Sequence, residues 1–131
     1  MDVILKYNLE QNESNMLIAN LLKEEIDRCL IQAEVKMYHA LPVWFIDGNA
    51  LVGYRGNAKG VKLIFWNGQE FGEPGLVATG KFHAAQIVYS SIEQIDKSDL
   101  NRWLQKSAEL IWDYKGMRRD CALAEKLINK K

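Results

Sequence analysis

The sequence is short of the residues that most often carry chemistry. Two cysteines and two histidines stand among 131 residues, and none of the four has a partner at zinc-ligand spacing. Cys29 and Cys121 lie far apart inside helical patterns and make a poor disulfide framework, so both read as free thiols buried in a reducing compartment. Excess charge is lacking too. Seventeen basic residues balance seventeen acidic ones, which removes the long-range positive field that non-specific nucleic-acid binding relies on, and no nucleic-acid partner is expected. No apolar run approaches the roughly 18 residues of a membrane span. The opening MDVILKYNLE lacks the basic leader and long apolar stretch of a signal peptide, so the expectation is a cytoplasmic protein with no membrane partner. Asn12-Glu13-Ser14 fits a glycosylation pattern that needs a secretory route nothing else suggests.

Proline and glycine are scarce outside one stretch. Residues 42–80 hold both prolines and eight of the nine glycines, interleaved with Trp44, Phe45, Tyr54, Phe65, Trp66 and Phe71, which predicts a sheet. The flanks carry only Gly116 and read as helices. At 131 residues, 48% hydrophobic and 26% charged, the chain has the size and composition of a single soluble domain with one core.

From Ser14 to Ile31 the residues Leu17, Ile18, Leu21, Leu22, Ile26, Cys29 and Leu30 recur at three and four, predicting an amphipathic helix started by Ser14. Val3 to Leu9 reads as a short strand or a loose arm. Val35, Met37 and His39 alternate with polar neighbours as a strand packed on one face, which Pro42 should end or place at a sheet edge. Val43 to Ile46 and Leu51 to Tyr54 flank Asp47-Gly48-Asn49 as a hairpin, Gly56 to Gly60 is the next turn, and Val61 to Trp66 is a strand closed by Asn67-Gly68. Gln69 to Lys81 is a glycine-punctuated connection before a strand around Ala85 to Tyr89. A helix runs from Ser98 to about Gly116, and Met117 to Asn129 reads as a third, the extension over 117–131. Tight turns make the pairing antiparallel. The predicted class is therefore α+β: two layers, an antiparallel sheet of about four to five strands, and the N- and C-terminal helices on one face.

Candidate chemistry is sparse. Gly75 to Lys81 matches a phosphate-binding loop up to its last position, where Phe82 replaces the required hydroxyl and a strand follows in place of a helix. His39 and His83 have no serine or cysteine tied to them by a recognisable motif, so no catalytic set is assigned and the chain reads as non-enzymatic. Trp44, Tyr54 and Trp66, with Lys81, are the candidates for a ligand pocket, although four tryptophans can equally serve the core. Glu70, Glu73, Glu93, Asp96 and Asp99 flank sheet segments as an acidic edge for a hard cation or as plain surface, and Lys115, Arg118, Arg119 and Lys126 form a basic patch.

Pro42-Val43-Trp44, the run from Gly48 to Tyr54, the run from Leu63 to Gly68, Glu73-Pro74-Gly75, Thr79-Gly80-Lys81 and the run from Ile92 to Asp96 occur in an order that resembles the YdhG-like family of small bacterial proteins, over about Glu34 to Ala108. The resemblance implies a two-layer α+β domain. Because that family includes a frataxin-like iron chaperone, it also implies iron carriage by exposed carboxylates with histidine beside them. The best candidates are Glu70 and Glu73, three residues apart in a glycine-rich connection, with His83 as a neighbour. The resulting expectation is a small non-enzymatic binding domain, monomeric or homodimeric. It has no resident cofactor beyond weakly bound iron, and takes a protein partner or a small ligand.

Overall fold

The computed structural model describes residues 2–80 and 83–111. The expected helix over 117–131, Trp112, Cys121, the basic patch and Lys81 lie outside the described residues. Within them the order is α1 (Val3–Leu9), α2 (Glu13–Cys29), β1 (Glu34–Tyr38), β2 (Leu41–Ile46), β3 (Asn49–Asn57), β4 (Gly60–Phe65), a 3-10 turn (Gly68–Phe71), β5 (Val77–Ala78), β6 (Ala85–Tyr89), a second 3-10 turn (Ile92–Gln94) and α3 (Lys97–Glu109).

The segment read as a strand or an arm is a helix. Asp2 Oδ1 accepts from the Ile4 amide at 2.8 Å and starts it, but seven residues cannot hold a helix by hydrogen bonds alone. Tertiary contacts do: Ile4 and Asn8, four apart, are buried, and the wholly buried Tyr54 hydroxyl donates to Asn8 Oδ1 at 2.7 Å. α2 starts one residue before the expected Ser14, because Asn12 is the cap and its Oδ1 accepts from the Asn15 amide at 2.8 Å. Asp96 caps α3 in the same way through the Asp99 amide.

The sheet has six strands in the order β1-β2-β3-β4-β6-β5, with every neighbouring pair antiparallel. The count exceeds the expected four to five because Val77–Ala78 adds a short edge strand. Between β1 and β2, His39 and Ala40 form a two-residue hairpin turn with φ of +51° and +66° and no glycine. That turn corrects two expectations. His39 is outside the strand, and Pro42 neither ends β1 nor lies at an edge, since it sits near the start of β2, an inner strand. The second hairpin is as expected: Asp47 and Gly48, at φ +51° and +80°, join β2 to β3.

Strand alternation sorts the side chains into two faces. Trp44, Val52, Tyr54, Val61, Leu63 and Phe65 form one core with Ile18, Leu22 and Ile26 of α2 and Leu100, Trp103 and Leu104 of α3, so both long helices cover the same face. Each large side chain fully buried there contributes about 1.5–3 kcal/mol. Leu41, Val43 and Phe45 make a separate cluster with Ile64 and Trp66 on the opposite face. The fold is α+β, with helices on one side of an open antiparallel sheet.

Candidate functional site

The face that α1, α2 and α3 leave uncovered has a defined grain. Lys36, Val43, Gly53, Ile64, Gln86 and Val77 stand in register across all six strands, and the row beside it runs Arg55, Lys62, Val88. At the centre, Gly53 is required by its neighbours. A Cβ built there would lie 2.7 Å from the Pro42 carbonyl oxygen, 3.0 Å from Val43 Cγ2 and 3.3 Å from Trp66 Cζ3. The missing side chain lets the Trp66 indole lie close over the strand, a way of covering a sheet glycine with an aromatic. At the β1 side, Tyr38 meets Phe45 edge to face at 5.4 Å, and Lys36 Nζ sits 4.7 Å from the Phe45 ring centre.

The charges on this face are unbalanced. Arg55 and Lys62 are direct cross-strand partners, a like-charge pairing that costs a sheet a few tenths of a kcal/mol to about 1 kcal/mol. Among the described residues neither has a carboxylate within ion-pair distance. Beside them a groove of about 460 Å³, lined by Asn57, Ala58, Lys59, Lys62 and Val88, opens at the end of the β3–β4 hairpin. Lys59 and Lys62 thus line this groove, and Arg55 stands opposite Lys62 in the ladder. Sequence reasoning passed over all three. The signal that would have found them is the Ala58-Lys59 turn, where Asn57 Oδ1 accepts from the Lys59 amide at 2.8 Å: with Asn57 facing Gly60, the register sets Arg55 opposite Lys62.

The residues singled out in the sequence are distributed differently. Trp44 and Tyr54 lie in the core under the helices, ring centres 5.8 Å apart, with the Trp44 Nε1–H donating to Asp27 Oδ1 at 2.8 Å. Trp66 is on the other side of the sheet, so the three do not line one pocket. Glu70 and His83 do come together, with Oε1 and Nδ1 3.3 Å apart. Glu73 does not join them, because Arg102 Nε and Nη2, Trp103 Nε1 and Lys106 Nζ all donate to its carboxylate at 2.5–2.9 Å. Those donors, Arg102 foremost and then Lys106 and Trp103, hold the Glu73 carboxyl well below the usual carboxylate range. Among the described residues no three His, Cys, Asp or Glu side chains converge as a metal site. The rest of the acidic edge is spent locally, since Asp96 caps α3, Asp99 pairs with Arg102 and Glu93 bonds Ser91.

Cys29 is half-buried, its thiol donating to Asn101 Oδ1 at 3.1 Å, and burial raises its pKa. In the stretch resembling a phosphate loop, Val77 and Ala78 pair with β6 as a strand. Comparison with family models, with curated proteins and with solved structures finds no match to this chain.

Proposed function

We propose that the domain is a cytoplasmic, non-enzymatic binding module that takes an acidic, partly apolar segment of a partner protein beside the β3–β4 hairpin, on the sheet face opposite α2 and α3. One observation carries the reading: Arg55 and Lys62 oppose each other across β3–β4, with Lys59 and the exposed Val88 beside Lys62 in one groove. A carboxylate between them relieves a repulsion the fold otherwise bears, while the exposed Val88 side chain supplies apolar contact that charge alone does not. Single exposed ion pairs contribute only about 0–1 kcal/mol each, so binding is modest and weakens with salt. The test is calorimetric titration with a synthetic peptide of alternating glutamate and leucine. The account expects wild-type binding, and at least about a tenfold loss in an Arg55→Glu, Lys62→Glu variant, which is 1.4 kcal/mol or more. Absence of binding, or equal affinity in the variant, contradicts it.

The Glu70–His83 contact favours a second reading, iron carriage, which is also what the likeness to the YdhG-like family suggests. The α+β fold supports that likeness. In this reading iron is cargo held by Glu70 and His83, with Glu73 committed to α3 and contributing nothing. Anaerobic titration with ferrous iron decides it: heat from the wild type that a Glu70→Gln variant loses supports carriage at this pair, and no heat from the wild type removes it.

A further inference from the structure

β1 forms one edge of the sheet. With a two-residue turn at His39-Ala40, Tyr38 and Leu41 close the hairpin, so Glu34, Lys36 and Tyr38 bond to β2 while Val35 and Met37 turn their amides and carbonyls away from the sheet. Among the described residues neither of these two makes a backbone bond beyond the ladder. Four of the five β1 side chains are exposed, including Met37, and Ile31 just before the strand is 84% exposed. α1 packs beside this edge, with Val3 and Leu9 also facing solvent. An edge like this pairs with another strand unless charges oppose it.

Here the charges favour one partner and one register, the register that sets opposite charges face to face. We propose that β1 adds antiparallel to β1 of a second copy of this chain, with Val35 facing Val35 across a two-fold axis. The outward-pointing residues are odd-numbered, so the two strands can meet only in registers that pair odd with odd. Shifting the axis to Glu34 sets Glu34 against Glu34 of the second copy, and shifting it to Lys36 sets Lys36 against Lys36, both like-charge pairs. The Val35-centred register sets Glu34 opposite the second copy's Lys36, twice over. In the isolated chain Glu34 and Lys36 only graze each other, 4.0 Å apart and largely exposed, which leaves both able to re-pair. The interface is isologous and closed, the commonest form of dimer, and joins two six-stranded sheets into one.

Light scattering on protein eluting at about 100 µM, enough to populate a dimer of micromolar Kd, tests this. The wild type should have twice the 15.0 kDa of the chain. Glu34→Lys and Lys36→Glu should each be monomeric, because each places like charges opposite one another in the Val35-centred register. An equimolar mixture of the two variants should return to dimer mass, since one chain then offers two cations to the other's two anions. Recovery on mixing also shows that the single variants are folded. A monomeric wild type, dimeric single variants, or a mixture that stays monomeric would each overturn the proposal.

Discussion

Replacing Glu73 with alanine removes an acceptor on which three side chains of α3 converge, and it is the sharpest test of how the loop after β4 is held. The carboxylate is nearly buried, with 6% of its side chain exposed, while Arg102 and Lys106 are 45% and 30% exposed. The cations therefore return to water when the carboxylate is removed, and losing them costs little more than an exposed pair does, about 1 kcal/mol. The Trp103 indole N–H is different, because its residue is 3% exposed and it has no replacement acceptor; an unsatisfied buried donor costs about 1–3 kcal/mol. The sum is about 2–4 kcal/mol, which urea melts at pH 7 would register as a midpoint lower by roughly 1–2 M. A pH series separates the charge from the packing. The carboxyl titrates lower in the folded chain than in the unfolded one, so its stabilisation is complete above the unfolded value near 4.3 and is lost as pH falls below it. The stability gap between wild type and Glu73→Gln should accordingly narrow as pH drops from 5 to 3. A gap that stays constant over that range, or a Glu73→Ala cost under about 1 kcal/mol, would refute the reasoning.

Other substitutions probe the sheet. Ala40→Gly should stabilise the domain by about 0.5–1 kcal/mol in denaturant melts, because Ala40 holds φ at +66°, where a Cβ is strained and glycine is not. Gly53→Ala should destabilise by about 1–3 kcal/mol, since its Cβ meets the Pro42 carbonyl, a backbone atom that cannot swing aside. Lys62→Glu should raise stability by a few tenths to about 1 kcal/mol by turning the pair with Arg55 attractive, while weakening binding of the acidic peptide. Opposite changes in those two measurements are the signature of a residue kept for binding at the expense of the fold.

Much of the fold was legible because its signals are local. The Asp47-Gly48 turn, the Val61 to Phe65 strand and the stripe of Leu100, Trp103 and Leu104 each follow from residues a few positions apart. What was hidden depends on distant partners or on conformations the residues rarely adopt. His39-Ala40 carries no glycine to announce its positive φ, so His39 was read into β1 and Pro42 was given the strand break that this turn makes. Val3 to Leu9 is held as a helix by tertiary contacts such as the bond from Tyr54, 46 positions on, to Asn8. Glu73 looked available for iron because the donors that occupy it lie 29 to 33 positions away on α3. Trp44 and Trp66 looked like pocket partners, but the ladder aligns Trp44 with Val52 and Phe65, and strand alternation puts Trp66 on the opposite face. The Arg55–Lys62 pair was readable in principle and needed only the turn to be centred on Ala58-Lys59.

The most direct test of the central claim is an amide and indole chemical-shift map during titration with the glutamate–leucine peptide. The backbone amides of Arg55, Lys62 and Val88 should move together and saturate with one affinity, while the indole N–H signals of Trp44 and Trp103, under the helices, stay in place. Movement of the two indoles with the Arg55–Lys62–Val88 row unchanged would contradict the account and put binding on the helix side of the sheet.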